Sequence, residues 1–300
     1  MATLMIAFAG LALACAPVGG PGGGGTLPAP IDNSAGNVAD PTNLPLGDYH
    51  VSATTPAVGT IYSCSLNVGG GGAAVDGPWI RSNGTWDSTA KIAVQGSVAW
   101  PTANVSITES AGRRIISGNA LPVGHSTGTF PIAATDPAYQ YDHNPNSITT
   151  HPVSVSLPLD PAIAANPGCT SGGPIGYATN GVAIFNGFDA GDRDAVAHEV
   201  QDGCGGHPEP TGTYHYHSGS DCIPGATNPT STLIGYALDG FGIYNRYDTG
   251  GTELTNADLD ACHGRMSPVP WNGSVQNVYH YVATRAFPYT IGCYRGTPGA

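Results

Sequence analysis

A mainly β fold with two short helices is predicted by three features of the chain: its glycine and proline content, a duplicated stretch in its C-terminal half, and an even set of cysteines. Of 300 residues, 44 are Gly and 26 are Pro, and only 10% are charged. Gly costs a helix interior about 1 kcal/mol relative to Ala, and Pro about 3, so turns and short strands dominate. The rest is rich in Ile, Val and Tyr, which suit a pleated, half-buried surface.

The duplication sets the order of elements. Ile175–Gly191 reads IGYATNGVAIFNGFDAG, and Ile234–Gly250 reads IGYALDGFGIYNRYDTG, identical at nine of seventeen positions. QDGCGGH at Gln201–His207 then answers LDACHGR at Leu259–Arg265, and TYHYH at Thr213–His217 answers VYHYV at Val278–Val282. Each copy, about 175–222 and about 234–293, reads as hairpin, helix and strand. Asn180-Gly181 and Asp239-Gly240 are dipeptides of two-residue hairpin turns, where both central residues take positive φ. Asp192–Val200 and the segment opening at Thr255, with Asp258 three residues on, supply the helices. The Tyr-His alternation has the period of a strand.

The ends divide the chain into a leader at 1–15, a linker at 16–56 and a single β-rich domain at 57–300. An apolar run ends at Ala14-Cys15 and is too short for a bilayer, which needs about 20 residues. It reads as a signal peptide of the bacterial lipoprotein kind, with Cys15 as the lipid-carrying residue. The Gly-, Pro- and Asn-rich stretch after it has linker composition. An exported location follows, either anchored in the cell envelope (periplasm included) or secreted. Six cysteines remain and suggest three disulfides with fifteen possible pairings. If the two copies fold alike, Cys204 pairs with Cys222, Cys262 with Cys293, and Cys64 with Cys169.

A net charge of −12 with nine Lys and Arg excludes a nucleic-acid partner, which requires clustered cations. For the same reason a membrane is reached only through the lipid. No phosphate loop, nucleophile elbow or His-Glu-x-x-His helix is present.

The motifs CGGHPEPTGTYHYHS, LIGYALDGFGIYN and YHYVATRAFPYTIGC, with GHSTGTFP upstream, resemble the YHYH domain family of exported proteins, over roughly Arg113 to Cys293. The resemblance implies no reaction. The second copy departs from the pattern, since Val282 stands where a histidine is expected and Cys262-His263-Gly264-Arg265 replaces the usual arrangement.

The histidines carry the chemistry. His215 and His217 share one face of a strand, and Tyr214 and Tyr216 share the other. His207 can fold back across PEPTG as a third ligand. His280, the counterpart of His215, is the fourth candidate, and His125 and His263 are further ones. Imidazole suits copper or zinc, and Glu199 and Asp202 are candidate supporting carboxylates or bases. Three functions fit. The first is an envelope lipoprotein holding copper or zinc through His207, His215, His217 and His280. The second is a metal-dependent hydrolase of exported or cell-wall substrates. The third is a structural or adhesion module with core histidines.

Overall fold

The structure is a computed structural model that describes residues 40–66 and 71–299. The leader with Cys15, and the linker up to residue 39, lie outside the described residues. Four two-residue strands come first: β1 (Leu44–Pro45), β2 (Val51–Ser52), β3 (Ile61–Tyr62) and β4 (Thr85–Trp86). β1 pairs antiparallel with β4, and β2 runs parallel to β3. An antiparallel three-stranded sheet follows, β5 (Val105–Ser110), β6 (Arg113–Gly118) and β7 (Val153–Pro158). Its first turn, Ala111-Gly112, has positive φ at both residues, the backbone that matches strand twist in a two-residue hairpin.

The main sheet has eight strands: β8 (Pro174–Ala178), β9 (Ala183–Phe185), β10 (Gly206–Pro208), β11 (Tyr214–Tyr216), β12 (Leu233–Ala237), β13 (Gly242–Tyr244), β14 (Gly264–Trp271) and β15 (Ser274–Val282). Their order is β10-β11-β9-β8-β12-β13-β15-β14. Outward from the central antiparallel β8–β12 pair, the two sides read alike. A hairpin partner comes next (β9 or β13), then a strand parallel to it (β11 or β15), then that strand's antiparallel neighbour (β10 or β14). Hydrogen bonds match as well. Tyr214 Oη donates to the Asp202 carboxylate and Tyr279 Oη to Asp260. Asn180 Nδ2 donates to Tyr216 Oη, and Tyr281 Oη donates to Asp239.

The hairpin turns differ from the two-residue form expected. Among the four turn dihedrals at Asn180-Gly181 and Asp239-Gly240, only the glycines have positive φ, +88° and +93°. Bonds from Gly181 N to Ala178 O and from Ala178 N to Val182 O close a three-residue loop, in which glycine takes the left-handed position after an ordinary turn. The extra residue aims the Asn180 and Asp239 side chains inward, where they meet the tyrosines of β11 and β15.

Helix is scarcer than expected. Among the described residues there is one α-helix, α1 (Ala195–His198), capped by the Asp194 carboxylate accepting from Ala197 N, and the chain is extended again at Glu199. The second expected helix is a 3-10 turn, Asn256–Asp258, closed by Thr255 N donating to Asp258; another lies at Pro137–Gln140. A cap signal starts a turn, but here extended residues follow at once in both places, so propagation never repays nucleation. Among the described residues no helix is long and apolar enough to cross a membrane.

Residues 40–56, read as the end of a linker, are packed into the fold. Leu44 is buried in a cluster with Ile61, Trp79, Trp86, Phe188 and Phe287. Gly47 N donates to Asp194 and Tyr49 N to Asp192 O. Two-residue strands carry no periodicity, so composition alone misplaces this boundary. Three disulfides, Cys64–Cys169, Cys204–Cys222 and Cys262–Cys293, are the pairs that equivalence of the copies selects, and they fit an extracytoplasmic, oxidising compartment.

The N-terminal segment is also clasped by charge. His198 Nδ1 lies 3.0 Å from Asp76, and its Nε2 lies 2.9 Å from both oxygens of Asp48. Burial alone would lower the His198 pKa, but the Asp48 carboxylate outweighs it and holds the group above its ordinary value. The clasp therefore contributes fully below about pH 6.5 and is lost as pH rises through the higher folded value. We expect the stability gap between wild type and His198→Gln to narrow across that window, read by thermal denaturation at several pH values.

Candidate metal centre

β10 and β11 are antiparallel, and His207 stands directly opposite His215 in their register. Side chains opposite one another on a strand pair lie about 5 Å apart at Cβ, so the two rings meet without help from loops. His217 follows two residues later on the same face. Tyr214 and Tyr216, fully buried, take the other face and enter the main core. The motif thus divides its labour: tyrosines fill the core, histidines line a cleft.

Three Nε2 atoms converge. His215 Nε2 lies 3.0 Å from His217 Nε2, which lies 3.2 Å from His207 Nε2. Glu199, where α1 ends, brings Oε2 to 3.5 Å from both His207 Nε2 and His217 Nε2. Ligands about 2.0–2.1 Å from a tetrahedral zinc sit about 3.3–3.4 Å from one another, and these separations bracket that edge.

Tautomers follow from the second nitrogen of each ring. His215 Nδ1 meets Thr213 O, and His217 Nδ1 meets Asn186 O. A carbonyl only accepts, so both Nδ1 atoms carry the proton and both Nε2 lone pairs face each other. Two acceptors at 3.0 Å repel, and a cation held between them would turn the repulsion into coordination. The Glu199 Oε2 atom is buried without a hydrogen-bond partner among the described residues, as is His207 Nδ1. Phe185 stacks on His215 with ring centroids 4.0 Å apart and holds its plane.

Burial sets the charge states. It holds His207 and His215 well below the ordinary histidine range, with neighbouring imidazoles adding, and brings His217 down to about 4. All three rings are neutral near pH 7, as metal ligation requires. Burial pushes the Glu199 carboxyl well up, Asp189 and Asp142 reinforcing it. Beneath, the half-buried Lys91 donates to the carbonyls of Val196 and Glu199 and to the Gln201 side chain, pinning the end of α1. Burial lowers the Lys91 pKa to about 8. A cleft of about 610 Å³ opens over the histidines and Glu199, walled by Phe185, Asn186, Asp142 and Pro208. Sites for small ligands have this size.

Other candidates fall elsewhere. His280 does not join the cluster. Its strand β15 is separated from β11 by β9, β8, β12 and β13, five spacings of about 4.8 Å, or roughly 24 Å. There His280 Nδ1 meets Val278 O, its ring packs edge-on to Tyr244, and Nε2 faces Ser267 Oγ at 3.5 Å. Arg265 and Val282 hold the positions matching His207 and His217, so the second half has no partner to offer His280. Asp202 lies on the core side, where its carboxylate accepts from Tyr214 Oη and from the N–H groups of Gly128, Cys204 and Gly206. It is no base for the cleft. His125 Nε2 bonds Tyr216 Oη, and the sulfurs beside it are in the Cys204–Cys222 disulfide. His263 Nε2 bonds Thr284. Sequence reasoning missed Phe185, Asn186 and Lys91. Only the first two carried a signal, the Phe-Asn answered by Tyr244-Asn245 in the other copy.

Asp202→Asn should lower stability by about 2 kcal/mol, since a buried charged acceptor loses its donors' complement. Glu199→Gln should leave the metal-free protein at least as stable as wild type, because it removes a carboxylate whose buried Oε2 lacks a donor. Denaturant unfolding of both variants in chelator checks the contrast.

Comparison with known proteins finds no match among curated proteins and none among solved structures. The family model described as YHYH protein matches residues 154–253, which hold β8 to β13, all three converging histidines and Glu199. The motif resemblance is therefore borne out as a match to that family model over the segment that builds the site.

Proposed function

We propose that the protein is an exported metal-binding protein whose centre is His207, His215 and His217, with zinc or copper as the ion. The observation that carries this is the convergence of two Nε2 lone pairs at 3.0 Å, each fixed by a backbone acceptor behind it. Glu199 supplies the carboxylate beside the ion. His280 is not part of the set. Three imidazoles leave a coordination position facing the cleft, as open sites do. Cys15 would carry a lipid that holds the domain at the cell envelope. The two halves of the sheet would derive from one duplicated hairpin–helix–strand unit, of which only the first keeps its ligands; the matching strand order and tyrosine contacts support this.

The cleft favours a second reading, a metal-dependent hydrolase acting on exported or cell-wall substrates. A bound metal would supply Lewis acidity there. Glu199, largely shielded from solvent and raised in pKa, stands where a general base or acid is needed. No Lys or Arg lines this cleft among the described residues, which suits uncharged or cationic substrates over anionic ones.

Protein purified without a histidine tag should take up close to one equivalent of zinc or copper after reconstitution, measured by elemental analysis, and His215→Gln with His217→Gln should take up close to none. At free metal one hundred times Kd, wild type should gain about 2.7 kcal/mol and the double variant nothing. Equal uptake by both proteins would refute the centre. The hydrolase reading expects metal-loaded protein to cleave a member of a peptide, ester and polysaccharide panel, with Glu199→Gln reducing the rate by about 10²–10⁴-fold while retaining the metal.

A further inference from the structure

A second cleft, in the other half of the main sheet, is built around one arginine. Arg114 lies on β6, and its side chain is only 2% exposed. Its guanidinium carbon stands 4.3 Å from the Tyr236 ring centroid and 4.7 Å from that of Trp271. The two rings hold the group and leave its edges to choose partners. Nη2 donates to Asn272 Oδ1 at 2.7 Å and to Glu109 Oε1 at 3.3 Å. Nε and Nη1 are buried with no partner among the described residues. A guanidinium carries five donors in a planar fork, and buried donors left unpaired are destabilising. The countercharge is weak as well, because the Glu109 side chain is 52% exposed and makes a single long contact.

The group opens on a cleft of about 750 Å³, whose other walls include Leu233, Pro270, Trp271 and Val275. Val275 is 69% exposed. Glu109 is the sole carboxylate lining it among the described residues. We propose that this cleft binds a ligand through a carboxylate, which displaces Glu109 and takes the Nη2 N–H so released together with an adjoining free N–H, on Nε or Nη1, of Arg114. A carboxylate matches the planar fork two-to-two. A single negative charge is also repelled less than a phosphate dianion by a chain of net charge −12. Glu109 acts as an internal stand-in for the ligand, and the apolar wall accepts whatever chain or ring the carboxylate is attached to. A peptide C-terminus and a uronic acid share this chemistry. The proposal is independent of the metal centre.

The test uses the full chain and the indole N–H resonance of Trp271, assigned by its loss in Trp271→Phe. The probes are N-acetylglycine and galacturonic acid, each compared with its methyl ester at constant ionic strength. The acids should shift the resonance saturably in the millimolar range, and the esters should not; the acid that binds tighter identifies the source. Glu109→Gln, at an exposed position, should tighten binding several-fold by removing the competitor, and Arg114→Lys should weaken it at least as much. Equal shifts from acid and ester, or an unchanged affinity in Glu109→Gln, would overturn the proposal. Should Arg114→Lys fail to fold, the Glu109 variant decides alone.

Discussion

The pleat of β11 is the constraint on which the site depends. Tyr214 and Tyr216 are drawn to the core face, where hydroxyls tied to Asp202 and Asn180 satisfy their polar ends. With the tyrosines committed, His215 must point the other way, and the antiparallel register places His207 opposite it. A slip of one residue would exchange the faces, leaving imidazoles in the core and phenols in the cleft. The Asp202 carboxylate guards against that slip. It gathers Tyr214 Oη and the N–H groups of Cys204 and Gly206, so the loop before β10 and the strand after it share one anchor.

The same anchor recurs in the second half, where Asp260 holds Tyr279, yet no cluster of histidines forms there. The contrast separates scaffold from chemistry. Tyrosines, disulfide and strand order are kept in both halves, whereas the cleft-facing positions hold His207, His215 and His217 in one and Arg265, His280 and Val282 in the other. A frame with corresponding tyrosine contacts thus supports a converging set of lone pairs on one side and an ordinary packed surface on the other. The first half also recruits Glu199 from α1 and Lys91 from outside the main sheet.

Much of this was legible in the residues. The β class follows from composition, and the duplicated motifs and the sharing of one face by His215 and His217 follow from spacing, because they need only local information; the disulfide pairs followed only on the condition that the two copies fold alike. The turns at Asn180-Gly181 and Asp239-Gly240 were legible as turns but not in length, since the choice between two and three residues depends on where the Asn180 and Asp239 side chains find partners across the sheet. The packed segment from residue 40 was illegible, because its strands are two residues long and its hold comes from Asp192, Asp194 and His198, far along the chain.

By itself, then, the sequence determined which faces of which strands carry imidazole and phenol, and it offered one set of cysteine pairs on the condition that the two copies fold alike. Only the tertiary structure decided which imidazoles meet. Pairing β8 with β12 at the centre sends β11 and β15 to opposite flanks of an eight-stranded sheet, so His280 is removed from its counterpart by geometry that no local pattern encodes. The same assembly turns Asp202 into the core and Glu199 into the cleft, although only two residues separate them. Strand order is a property of long-range pairing, whereas periodicity is a property of neighbours.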